Sequence, residues 1–212
     1  HLAQGLGNAT VQLLGAFSAL AAAPSDLSAR QAVLARAEDL ASMARSYSSQ
    51  LDMVQANVRT DIENAASEVN TLASQVAMLN SRIANALATG HSPNDLLDQR
   101  DQLIGEISQH IEVHTIGASD GSTSVFIAGG QSLVLGQTAN KLVVSDDDYD
   151  ITRAALKVSV AGQETPLNST ALGSGALAGL LAFQNEDLVD TRNRLGQLAA
   201  ALTSLGQRIA QR

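Results

Sequence analysis

The sequence predicts a mainly α chain with a β-rich insert. The architecture expected is an elongated, rod-like helical bundle with one long, coiled-coil-like helix and a small antiparallel β domain. Three observations carry this. No proline or glycine interrupts the chain from Leu27 to Thr89. From Ile111 the apolar residues alternate between glycine-rich turns, the pattern of half-buried strands. After Gly175, leucines return at helical spacing. The expected division is a helical rod domain, 1–110 plus 175–212, and an inserted β-rich domain, 111–174.

The first helix is expected over 8–22, where Val11, Leu13, Leu14, Phe17 and Leu20 recur at helical spacing. Pro24 stops it, and Ser25 or Asp26 caps the next. That next helix is the main feature. Val58, Ile62, Ala65, Val69, Leu72, Val76, Leu79, Ile83 and Ala86 alternate by four and three, a heptad seam. About 60 residues at 1.5 Å each make a rod of about 90 Å. The seam needs cover, either from this chain or from neighbouring subunits. Thr89 to Asn94 is a loop, with Gly90 as a left-handed cap, Ser92 as an N-cap and Pro93 at the first helical position. A third helix runs to about Gln109, with Leu96, Leu97, Leu103, Ile104 and Ile107 inward.

Strands are expected at 111–117, 123–128 and 131–135, with Leu142–Ser145 and Leu156–Val160 as two more. Ser119-Asp120-Gly121-Ser122 and Gly129-Gly130 mark turns. Residues 161–174 are turn-rich. The returning helix carries Leu177, Leu180, Leu181, Leu188, Leu195, Leu198, Leu202, Leu205 and Ile209 on one face, and is the natural partner of the long helix.

Composition narrows the function classes. There is no cysteine, so disulfide frameworks, thiol nucleophiles and cysteine-based zinc sites are excluded. Aromatics are 2% of residues, which argues against an aromatic-lined ligand pocket. The net charge of −8, with no basic stripe, argues against nucleic acid and anionic membrane surfaces. The longest apolar run, Ala19 to Pro24, is far short of the ~20 residues a membrane span needs. The chain begins at His1 and stops at Arg212 in mid-pattern, as a core piece of something longer would.

No catalytic, cofactor or metal set emerges. His110, Glu112 and His114 lack the His-Glu-x-x-His order of zinc hydrolases and straddle a helix-to-strand change. Asp146-Asp147-Asp148-Tyr149-Asp150 lacks the turn glycine and closing glutamate of a calcium loop. Gly173-Ser174-Gly175 lacks the Walker lysine. Asn8-Ala9-Thr10 and Asn168-Ser169-Thr170 match the glycosylation sequon, a pattern common by chance.

The run Pro93-Asn94-Asp95-Leu96-Leu97-Asp98-Gln99-Arg100-Asp101-Gln102-Leu103-Ile104 closely resembles the signature of the first hook-associated protein family of bacterial flagella, the hook–filament junction proteins. Val125 to Gly136 is similar to the β-hairpin that follows it in that family. Gly175 to Phe183 and Asn193 to Ala199 are similar to its returning helix. Ala23 to Asp26 and Ala29 to Leu34 are similar to the start of its long helix. The resemblance spans almost the whole chain, in the family's order. The family's terminal helical segments, which form an inner coiled-coil tube, have no counterpart here, and its outer domains look short.

The resemblance implies a non-enzymatic structural protein of the flagellar axis, without cofactor. It implies export through the flagellar secretion channel with a dedicated chaperone and a ring at the distal end of the hook. The implied partners are the hook protein, the second hook-associated protein and neighbouring copies. The implied location is extracellular. Asp95, Asp98, Arg100 and Asp101 are the candidate contact residues, either a solvated face or groups that fix contacts within the helical layer or between subunits. Without terminal helices, the chain is expected to be monomeric at micromolar concentration. The alternative class is a surface-exposed binding module or adhesin with a coiled-coil stalk.

Overall fold

The computed structural model describes the backbone of residues 2–210 and the side chains of residues 4–204. The sequence-predicted face positions Leu205 and Ile209 lie outside the described side chains. Helix α1 (Leu2–Ala22) is followed by α2 (Leu27–Ala88) and α3 (Asn94–His110). Seven short strands follow: β1 (Val113–Gly117), β2 (Thr123–Ile127), β3 (Gln131–Leu135), β4 (Thr138–Ala139), β5 (Lys141–Asp146), β6 (Ala154–Val160) and β7 (Gln163–Pro166). The chain closes with α4 (Ala176–Ala182) and α5 (Leu188–Ala210). The mainly α class with small antiparallel sheets is therefore as the sequence predicts.

Helix boundaries follow the local chemistry. Asp26 caps α2: its Oδ1 accepts the Ser28 N–H at 2.8 Å. Helix α2 ends in a Schellman turn. The His91 N–H reaches the Ala86 carbonyl at 2.9 Å and the Gly90 N–H reaches Leu87 at 3.0 Å. Gly90 supplies the required φ of 77°. The start of α3 corrects the sequence reading by one residue. Pro93, at φ −93° and ψ 40°, is the cap and Asn94 the first helical residue. The Pro93 carbonyl accepts from the Leu96 and Leu97 N–H groups, both at 3.0 Å.

Strands β1 to β4 form one sheet in sequence order, and β5 to β7 a second, all antiparallel. Strands β4 and β7 escaped the sequence reading because they lack apolar alternation; β7 is exposed throughout. It is paired by a two-residue turn at Ala161-Gly162, where both φ angles are positive. The predicted sequon Asn168-Ser169-Thr170 is a cap: Asn168 Oδ1 accepts the Thr170 N–H at 3.1 Å and opens a short 3₁₀ turn. The returning helix runs unbroken from Ala176 to Ala210, with a π-bulge over Phe183–Asp187 between α4 and α5.

Packing divides the chain into two compact units, 1–54 with 189–212 and 55–188. In the first unit, Leu13, Val33 and Leu40 are buried, with Phe17, Ala37 and Leu202 packed around them. Here α5 partners the N-terminal part of α2, and Arg192 Nη2 meets Asp52 Oδ1 at 2.8 Å. In the second unit, the heptad seam has different cover. Val58, Ile62, Val69, Leu72 and Val76 share one core with Val125, Ile127 and Leu133 of the first sheet, Leu142, Leu156 and Val158 of the second, Ile107 of α3 and Leu177 of α4. Over this stretch α4, the start of the returning helix, shares the cover with α3 and the strands of both sheets. The strands' alternation presents one apolar face, and burial of that face against the seam removes both from water.

Candidate assembly face on the signature helix

Helix α3 carries the signature residues. Its inner side is fixed by Ile107, fully buried, and by Leu103 and Ile104 at the core edge. The four candidate contact residues are not equivalent. Asp95, Asp98 and Asp101 are exposed, whereas Arg100 is 7% exposed.

Arg100 reaches across to the β1–β2 turn. Its Nη1 donates to the Gly121 carbonyl at 2.8 Å and lies 3.5 Å from Asn80 Oδ1. Nε and Nη2 each lie 3.4 Å from Asp101 Oδ1. Gly121 has φ 82°, and a Cβ there would overlap Leu87 Cδ1. Glycine thus brings the turn's backbone close enough to α2 for the guanidinium to hold its carbonyl. A buried cation needs such partners to offset lost hydration. Arg100 accordingly fixes contacts within the fold.

The turn is ordered by its own aspartate. Asp120 Oδ1 accepts the Ser122 N–H at 2.9 Å and the Ser122 hydroxyl at 2.6 Å. These bonds favour the ionised carboxyl and hold its pKa below the ordinary aspartate value, the Ser122 side-chain bond first. A depressed folded pKa contributes stability above the unfolded value, and that contribution is lost as pH falls through the folded pKa. An NMR titration should place the Asp120 midpoint below the ordinary aspartate value. Ser122→Ala should move it back up; a native midpoint at the ordinary aspartate value would refute the assignment.

Asn80, fully buried on α2, is the companion of Arg100. Its Nδ2 donates to the Thr123 carbonyl at 2.8 Å and the Gly136 carbonyl at 2.6 Å, and its Oδ1 accepts the Thr123 N–H at 3.0 Å. Two other side-chain amides use the same device. Asn70 donates to the Leu142 carbonyl at 2.8 Å and accepts its N–H at 2.7 Å. Gln184, in the π-bulge, donates to the Ala154 carbonyl at 3.0 Å and accepts its N–H at 2.9 Å. Each amide completes a strand residue's hydrogen bonding as a neighbouring strand would, and pins a sheet to a helix. The sequence reading missed all three. The signal is a polar amide directly beside a heptad position, Asn70 after Val69 and Asn80 after Leu79.

The other constellations separate. His110 ends α3 with Nε2 3.5 Å from Glu68, while His114 is on β1, 3.6 Å from Glu112. Helix and strand thus give the two imidazoles different partners. Among the described residues no group of His, Asp and Glu is placed to hold a metal ion. The acidic loop folds on itself. Asp147 Oδ1 accepts the Tyr149 and Asp150 N–H groups at 2.9 and 3.1 Å, and Asp146 meets Arg59 at 2.8 Å. No described helix is long and apolar enough to cross a membrane.

Comparison with known proteins places this geometry. Residues 2–206 match the family described as the flagellar hook-associated protein FlgK helical domain. The flagellar hook-associated protein 1 of Salmonella typhimurium is 34% identical over 179 residues, covering 83% of this chain and 32% of that protein. Its counterpart in Escherichia coli K12 is 35% identical over 181 residues, covering 83% and 33%. The solved flagellar hook junction protein FlgK of Burkholderia pseudomallei superposes with a TM-score of 0.83 at 31% identity, covering 91% of this chain and 35% of that one. The chain spans about a third of the length of the relatives it matches. With its signature helix, long α2 and two small sheets in the matching order, the chain belongs to the FlgK family of flagellar hook-associated proteins.

Proposed function

We propose that this chain is the helical segment of a structural junction subunit between flagellar hook and filament, without catalytic activity. The observation that carries the reading is the family match over 2–206, joined to the 0.83 superposition on a hook junction protein. The partners are the hook protein on one side, the second hook-associated protein on the other, and neighbouring copies. The subunit works outside the cell, exported through the flagellar channel with its chaperone. Its mechanism is mechanical. Side-chain amides and Arg100 tie both sheets to α2, so load on a sheet passes into the long helix. Asp95, Asp98 and Asp101 face outward from α3 and are the contact candidates.

The test is deletion of the parent gene, electron microscopy of the cells, and an assay of flagellin in the medium. Bare hooks with flagellin lost to the medium are expected. Normal filaments would overturn the reading and leave the adhesin class.

A further inference from the structure

We infer that the outer edge of β1 receives an extended segment of another protein as an added strand of the first sheet. The junction-subunit reading names neighbours for the chain but no such surface. In an antiparallel pair, alternate residues turn their N–H and C=O groups toward the partner strand, and the others turn them away. The Ala118 N–H donates to the Ser122 carbonyl at 2.8 Å, which sets the phase of the β1–β2 ladder. In that phase Ile116, opposite Ser124, and His114, opposite Phe126, bond to β2. Thr123, opposite Gly117, agrees with it: its N–H and carbonyl turn away from β1, to Asn80. Val113, Thr115 and Gly117 therefore aim their backbone groups at the open edge, where no described residue pairs with them.

The other sheet edges are closed. Strand β4 is only two residues long. On β5 the outward N–H and carbonyl of Leu142 are held by Asn70. On β7 the bond from the Leu167 N–H to the Leu156 carbonyl sets the phase and turns Glu164 and Pro166 outward. Pro166 has no N–H to offer and Glu164 is charged, two devices that protect an edge. Strand β1, Val-His-Thr-Ile-Gly, has no proline, lysine or carboxylate and is exposed from His114 onward. Its solvent face continues uncharged across the sheet. The register sets Ile116 beside Ser124 and carries the row on to Leu135; Ile116 is 61% and Leu135 57% exposed. These features state the partner's chemistry. It is an extended, uncharged segment with free backbone donors and acceptors, and with an apolar side chain that continues the row of Ile116 and Leu135. A second copy does not supply this. Strands β4, β5 and β7 offer no matching edge, and pairing two β1 strands brings chains of net charge −8 together with no opposite charge between them.

The test uses the full-length parent protein in flagellated cells, with a photo-crosslinking amino acid placed at His114 or at Ile116. Both side chains are exposed on the solvent face. Both positions are expected to crosslink to one segment of another protein, at sites two residues apart, as strand pairing requires. Thr115→Pro removes an outward N–H and no bond to β2. It should lower both yields at least tenfold, with amide exchange showing Val125 and Ile127 still protected in the purified protein. Ile116→Lys adds a charge to the edge without touching the backbone. It should lower the His114 yield several-fold, and it decides the matter if the proline variant loses that protection. No crosslink at either position, sites that do not step by two, a crosslink to β1 of a second copy, or an unchanged yield in the folded variants would overturn the inference. Cells lacking the parent gene report on filaments, and these crosslinks report on the edge, so the two readings fail separately.

Discussion

Replacing Gly175 by alanine is expected to destabilise the second unit by about 3–5 kcal/mol, through backbone strain and an unrelievable clash. Gly175 opens α4 at φ 112° and ψ 175°, a region essentially reserved for glycine. A Cβ there would stand 2.5 Å from the His110 carbonyl carbon, 2.6 Å from its oxygen and 2.7 Å from the Ile111 nitrogen. All three are backbone atoms at the end of α3, and no rotamer change moves them. The chain must separate α4 from α3 or distort both. Gly179, one turn into α4, is the control, because nothing lies within 4 Å of its Cβ position. Gly179→Ala should be neutral or stabilise by up to about 1 kcal/mol, from helix propensity alone. Two compact units can unfold separately, so urea unfolding should be followed by amide exchange at Val125 and Ile127. Equal stability of Gly175→Ala and the native chain would refute the close approach.

Asn80→Leu is expected to be about as damaging, at roughly 3–5 kcal/mol, although it places an apolar side chain at a fully buried position. The cost lies in what is left behind. The Thr123 N–H, the Thr123 carbonyl and the Gly136 carbonyl each lose a partner, at about 1–3 kcal/mol per buried orphan. Arg100 also loses its neighbour on α2. Asn70→Leu removes the equivalent pair at Leu142, but Asn70 is only half-buried, so water can replace part of it. Its cost should be about 1–2 kcal/mol. The order of the two variants is the critical result, read by urea unfolding as above. If Asn70→Leu proves the worse, the hub at Asn80 and Arg100 does not hold the first sheet.

Both predictions concern groups that a sequence cannot rank. Gly175 stands at the predicted start of the returning helix and Gly179 inside it, and nothing local says which of the two cannot be replaced. Only the approach of α3 from about 65 residues upstream in the sequence makes one essential and the other replaceable. Asn80 reads locally as an ordinary polar residue on a long helix. Its importance appears when β2 arrives and needs a donor and an acceptor together.

Within the candidate site, sequence reasoning picked out α3 and its four charged residues but not their roles. Charges on a short helix look alike in sequence. Burial separates them: Arg100 faces the β1–β2 turn and is consumed by the fold, while Asp95 and Asp98 stay free for contacts. The turn residues Ser119 to Ser122 were legible as a turn. Their reception of the guanidinium was not, because that contact spans 21 positions.

The sequence by itself determined what depends on near neighbours and on period. Heptad spacing specified α2, alternation specified β1, β2, β3, β5 and β6, and Gly90 and Asp26 specified helix ends. The signature run of α3, being a string of particular residues, also pointed to the family. Tertiary structure decided what depends on distant groups: which elements cover the seam, where α4 gives way to a π-bulge, and which polar side chains act as surrogate strands. The physical reason is that periodicity states that a face must be buried but not what buries it. Cover is chosen by shape and by hydrogen-bond satisfaction among segments far apart in the chain.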